Sequence, residues 1–196
     1  MAGVHELLRA AGIELTADDD RPALRVECAR LARRMRERMV RTIGLYPADD
    51  TVAVPSIAIE LGRALADKSP GSVGVVDAHG SWACARALAG AAPADGTLVA
   101  TSWITDNLAV LTPRIFDAGA MLGQLRAAVV ENGVAFSDLV VDLTGLDHLG
   151  DQLAAFELLE AVAVVARSGR TTTRQIQRRL RDIPEWSSLG VLLTGL

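Results

Sequence analysis

Apolar positions along the chain follow two rhythms. Short segments such as VGVVD (73–77), LVVDL (139–143) and VAVVA (162–166) are apolar almost throughout. Runs of this kind suit strands of a parallel sheet that is covered on both faces. Between them, apolar residues recur every three or four positions, which is the rhythm of a helix. Leu24, Cys28, Leu31, Met35 and Met39 mark one such helix, and its other face is strongly basic. The pattern predicts strands over 41–46, 72–78, 96–102, 107–113, 137–145, 161–169 and 189–196. It predicts helices over 4–11, 23–40, 56–67, 81–90, 115–133, 150–160 and 171–183. Ser56 is the expected N-cap of its helix and Gly90 the expected stop of another.

Strand and helix in regular alternation predict an α/β fold: a doubly wound, mainly parallel sheet with helices on both faces. Residues 1–22 read as a short helix and a polar linker, and residues 23–196 as a single domain. Ligands of such sheets bind beyond the carboxyl ends of the strands. Tyr46-Pro47, Asp77, Ser102 and Asp142 stand at those ends. No internal repeat or low-complexity segment interrupts the pattern.

Composition narrows the function classes. The chain has 196 residues, of which 50% are hydrophobic, enough for one domain with a substantial core. A net charge of -4 gives no bulk attraction to nucleic acid or to an anionic membrane. Basic residues nevertheless cluster between Arg21 and Arg41 and between Arg167 and Arg181. Cys28 and Cys84 are too few for a disulfide framework and read as small buried residues. No basic segment followed by an apolar one opens the chain, and no run approaches the ~20 apolar residues of a membrane span. The expected location is cytoplasmic.

Candidate chemistry lies in three places. IGLYPADDTVAVPSIAIELGRALA (43–66) is a strand, a loop rich in Pro and Asp, and an amphipathic helix. VGVVDAHGSW (73–82) and FSDLVVDLTG (136–145) are strands ending at Asp77 and Asp142. A P-loop enzyme uses such places for phosphates and for magnesium carboxylates. Order and spacing resemble the MinD/ParA type of P-loop ATPase, and within it the cytoplasmic domain of bacterial tyrosine kinases, the BY-kinases that partner polysaccharide-export proteins. ECARLAR places Glu27, Arg30 and Arg33 in the ExxRxxR spacing that BY-kinases use between neighbouring subunits of a ring. AVAVVARSGRTTTRQIQRRL and LGVLLTGL resemble the family's late strands, turn and helix.

The resemblance implies a P-loop NTPase fold with an ATP and magnesium site, but the chain departs from the motif. Aligned on the family pattern, the loop glycines fall on Thr51 and Ala53, the lysine on Val54, and a magnesium-binding hydroxyl on Pro55; only Ser56 keeps a hydroxyl. Glycine lets backbone N–H groups wrap a phosphate, and lysine neutralises it. Pro55 also lacks an N–H, and Asp49 and Asp50 add negative charge beside a polyanion's place. The family's second strand-end carboxylate is His79 here. The resemblance also implies a tyrosine-rich tail, and Tyr46 is the one tyrosine of this sequence, so no such cluster is expected here.

These departures lead to the expectation of a pseudo-kinase or pseudo-ATPase with no cofactor, its ATP and magnesium binding lost or weak. It would act through protein partners: itself, an active homologous kinase, or a membrane export component. Neither nucleic-acid binding nor membrane insertion is expected. An enzyme using Asp77, His79 and Asp142 as a rebuilt acid–base or metal site is one alternative, and those carboxylates as relics held by N–H groups is another. A MinD/ParA-like positioning protein without ATP switching is a third. Asp142, Asp147, His148 and Asp151 also look ligand-rich, although a solvated loop and helix start explains them. Arg174, Arg178, Arg179 and Arg181 read as a solvated helix face. Trp82 and Trp103 follow strand ends, where a partner could reach them.

Overall fold

Among the described residues, seven strands form one sheet in the order β3-β4-β2-β5-β1-β6-β7. The computed structural model describes residues 3–13, 22–90, 97–117, 120–131, 135–146 and 152–195. Its strands are β1 (Thr42–Pro47), β2 (Val73–Asp77), β3 (Val99–Thr105), β4 (Leu108–Pro113), β5 (Asp138–Asp142), β6 (Ala161–Arg167) and β7 (Ser188–Thr194). The helices are α1 (Val4–Ala10), α2 (Pro22–Glu37), α3 (Val54–Ala66), α4 (Ala85–Ala89), α5 (Met121–Arg126), α6 (Gln152–Glu157) and α7 (Thr173–Asp182). All neighbouring strands pair in parallel except β3, which runs antiparallel to β4.

Strand residues alternate between two apolar cores. Ile43, Leu45, Val73, Val75, Val140 and Val165 join α1 to α4 on one face. Tyr46, Val76, Val141, Val164, Leu125 and Phe156 join α5 to α7 on the other. This two-sided burial is why the strands read as continuous apolar runs. At the middle of β1, a Cβ on Gly44 would stand 2.6 Å from methyl groups of both Leu143 and Leu159. The glycine lets the second core close directly onto β1.

Several elements differ from the sequence expectation. Ser102 lies on β3, and because that strand is reversed its carboxyl end points away from those of the parallel strands. The hydrophobic run could not reveal this, since direction leaves no trace in composition. Met39 continues the helical rhythm of α2 but lies beyond it, 86% exposed with φ 55°. The helix expected over 115–133 is shorter: α5 passes into a π-helical turn at Ala127–Glu131. The helix expected over 81–90 is confined to α4, with Gly90 at its C-cap at φ 64°. α3 begins two residues before Ser56, with Ala53 at the N-cap position, so Ser56 is not a cap. Proline explains the early start, since its fixed φ and missing N–H suit the first turn. Among the described residues no helix is long and apolar enough to cross a membrane.

Candidate functional site

The β1–α3 loop turns inward on itself. Asp49 Oδ1 accepts hydrogen bonds from the Thr51 amide (2.9 Å) and the Thr51 hydroxyl (2.5 Å). The Val52 amide donates to the Asp49 carbonyl at 3.3 Å, and the Val54 amide to the Val52 carbonyl at 3.0 Å. The second of these closes a three-residue turn around Ala53, whose φ of -80° and ψ of 77° are those of an inverse γ-turn. Pro55 has no amide proton. The N–H groups of Thr51, Val52 and Val54 are thus satisfied within the loop. Val54, the first residue of α3, is fully buried in the core that α3 shares with α2.

A side chain ties this loop to the next strand end. Asp49 Oδ2 accepts from the Thr171 hydroxyl at 2.7 Å, and Thr171 Oγ1 in turn accepts from the Arg167 amide at 2.9 Å. Burial alone would raise the Asp49 pKa. The hydrogen bonds from Thr51 and Thr171, with the charge of Arg167, outweigh it and lower the pKa below the usual carboxylate value.

Asp77 and Asp142 are register neighbours at the ends of β2 and β5, each 1% exposed. Trp82 joins them. Its backbone amide donates to Asp77 Oδ2 at 3.1 Å, and its indole Nε1–H donates to Asp142 Oδ2 at 2.9 Å. Ser81 adds its amide to Asp77 Oδ1 at 3.0 Å. Thr144 adds its amide (2.9 Å) and hydroxyl (2.6 Å) to Asp142 Oδ1. Burial, then the charge of Asp142, pushes the Asp77 pKa up to about 7. Burial likewise raises that of Asp142, against the hydrogen bonds from Thr144 and Trp82.

Solved structures place this arrangement on a known fold. The kinase domain of Escherichia coli tyrosine kinase ETK matches with TM-score 0.68 at 16% identity, over 97% of this chain and 80% of that one. The fold is that of a tyrosine kinase domain. The BceF tyrosine kinase domain matches with TM-score 0.65 at 18% identity, over 88% of this chain and 76% of its own. A ParA family ATPase from Chlorobium tepidum TLS matches with TM-score 0.54 at 16% identity, over 79% of this chain and 73% of its own. No protein-family model matches the chain, and no curated protein matches it in sequence.

On this kinase-domain fold, the remaining candidate residues separate. The His79 ring packs over Gly145, where a Cβ would stand 2.5 Å from His79 Cδ2. With Pro113, Phe116, Asp117 and Gln124 it lines a cavity of only about 40 Å³. Among the described residues no three His, Cys, Asp or Glu side chains group as metal ligands. Asp147, His148 and Asp151 lie outside the described residues. A larger cavity, about 520 Å³, opens beside Thr51, Val52, Ala53 and Ser56, between the start of α2 and the ends of β6 and β7. Among the described residues Arg167 is the one charged residue that lines it, and neither Asp77 nor Asp142 does.

On α2, Arg30 pairs with Glu27 of the same helix, and Arg33 with Glu37 at 3.5 Å. Trp82 is 4% exposed and is a structural part of the site rather than a contact for partners, whereas Trp103 is 49% exposed and Trp186 66%. Sequence reasoning missed the roles of Asp49 and Trp82. An Asp two residues before a Thr is a turn signal that could have shown the first; nothing local indicates the second. Tyr46 is buried under the Arg179 guanidinium, which also donates to its hydroxyl at 2.7 Å.

Proposed function

We propose that the chain is a non-catalytic interaction or regulatory module on a tyrosine-kinase-like fold, a pseudo-kinase that has given up ATP and magnesium. The observation that carries this reading is the internal satisfaction of the Thr51, Val52 and Val54 amides, with proline at 55. A phosphate bound in this loop would need those donors, and releasing them would break the loop's own bonds. Val54, aligned with the family's lysine, supplies no charge, and the carboxylates of Asp49, Asp77 and Asp142 already hold protein donors.

The fitting role is assembly in bacterial polysaccharide export, the setting of the kinases the sequence resembles. Partners are itself, an active homologous kinase or an export component, with Glu27, Arg30 and Arg33 as the contact between copies. Calorimetric titration of the chain with ATP, with and without magnesium, tests the central claim. No heat of binding up to millimolar ATP is expected, and micromolar binding overturns it. Light scattering on the chain and on Arg30→Ala tests the contact; an unchanged mass argues against it.

An acid–base reading draws on one observation, the Asp77 pKa held near 7, since catalytic carboxylates are often raised this way. Its burial behind Trp82 weighs against it, because substrate would have to displace the clasp.

A further inference from the structure

The outer side of α7 carries a charge pattern that folding does not explain. Residues 167–181 contain six arginines and no acidic residue, although the whole chain has net charge -4. The helix is anchored without most of them. Thr172 and Gln175 form a reciprocal capping box at its start. Ile176 and Leu180 pack on the second core, and Arg179 lies over Tyr46. Arg170, Arg174, Arg178 and Arg181 are exposed. Among the described residues, none of these four has a carboxylate within ion-pair distance.

Arg181 in the last turn suits the helix dipole, but Arg174 and Arg178 work against the helix. Arg174 stands in the first turn, where the helix dipole disfavours a cation. Arg174 and Arg178 stand four residues apart on α7, which sets like charges side by side, and Arg170 lies in the turn just before the helix. Asp182 at the end of α7 is the helix's one acidic residue. A row of exposed arginines, two of them set against the helix that carries them, points to an anionic ligand.

We propose that this arginine row, with Trp186 beyond its carboxyl end, docks an acidic peptide segment of a partner protein. The proposal rests on the reading of the chain as an interaction module and gives that module its partner chemistry. Every cation in the row is arginine, whose planar fork binds carboxylates bidentately. The ten-residue helix is about 15 Å long, room for roughly four or five residues of an extended peptide. A nucleic acid or an anionic bilayer presents a far larger field, which the chain's net negative charge opposes. A short segment senses mainly the row itself, since charges beyond about 8–10 Å are screened at physiological salt. Trp186, 66% exposed, supplies the large apolar contact common in binding hot spots.

The test uses a fluorescein-labelled hexaglutamate peptide and fluorescence polarisation at 50 mM salt. Saturable binding to the full chain is expected, weakened at least tenfold in R174E/R178E and steeply weakened by added salt. R9E/R126E makes the same change in net charge at exposed sites on α1 and α5 and is expected to bind within twofold of the unaltered chain. Circular dichroism confirms folding, and the milder R178Q/R181Q gives an independent loss of several-fold. No binding, equal weakening by R9E/R126E, or tighter binding to a 12-base-pair duplex or phosphatidylglycerol vesicles overturns the proposal. ATP binding is measured separately: a chain that takes both ATP and the peptide refutes the pseudo-kinase reading while upholding this surface.

Discussion

Asp49 accepts a 2.7 Å hydrogen bond from the hydroxyl of Thr171, a residue 122 positions further along the chain. The bond clips the β1–α3 loop to the turn after β6. The same carboxylate holds the Thr51 amide and hydroxyl, so one side chain organises the loop from within. Asp49→Ala removes all three bonds. A loss of about 1–3 kcal/mol in folding stability is expected, given ~1 kcal/mol for a typical net hydrogen bond. Because the Asp49 pKa is lowered on folding, its contribution is present above the unfolded carboxylate pKa and is lost as pH falls through the folded value. Urea unfolding of both proteins should therefore differ at pH 7 and converge toward pH 3. A constant difference across that range would refute the charge-assisted role.

Asp77 carries the opposite pH signature. Its pKa is raised by burial, then by Asp142, to about 7, so the folded state holds a proton that the unfolded state releases near 4. Stability from this group is fully present below about pH 4 and declines as pH rises toward 7. In Asp77→Asn that decline is removed. The stability of the variant relative to the unaltered chain should rise between pH 4.5 and 7.5, whatever its absolute value. A relative stability independent of pH would show that Asp77 ionises normally.

Introducing the lysine of the P-loop pattern alone should fail. Val54 is fully buried in an apolar core, so Val54→Lys carries an amine into it. Desolvating that charge and losing the packing should cost several kcal/mol, on the order of 3. No gain in ATP affinity is expected, because the Thr51, Val52 and Val54 amides remain satisfied internally. Thermal unfolding and calorimetric titration of the variant read the two effects; a stable variant that binds ATP would show that position 54 faces the site.

Gly145 illustrates two separable constraints. Its φ is 85°, and a Cβ there would stand 2.5 Å from His79 Cδ2. Gly145→Ala should lose about 1–3 kcal/mol through backbone strain and overpacking together. Adding His79→Ala removes the clash and leaves the strain, so the double variant should recover part of the loss in a double-mutant cycle. Strict additivity would mean the ring does not press on this turn.

Much of the fold was legible because parallel strands buried on both faces must be apolar along their whole length. VGVV, LVV and AVAVV therefore announce themselves, as does the helical spacing of Leu24, Cys28, Leu31 and Met35. The reversal of β3 was not legible, since a strand's direction depends on its neighbour and leaves the same apolar letters. Nor was the early start of α3, where proline in the first turn took precedence over Ser56 as a cap.

The candidate site divides along the same line. Residue types alone establish that lysine and glycines are missing from the β1–α3 loop, because a side chain that is not encoded cannot act. Tertiary structure was needed to show where the loop's amides go, and that the indole of Trp82 closes over Asp142 from 60 residues away. Those bonds join segments distant in the chain, and their partners are set by how the sheet brings strand ends together, not by any local pattern.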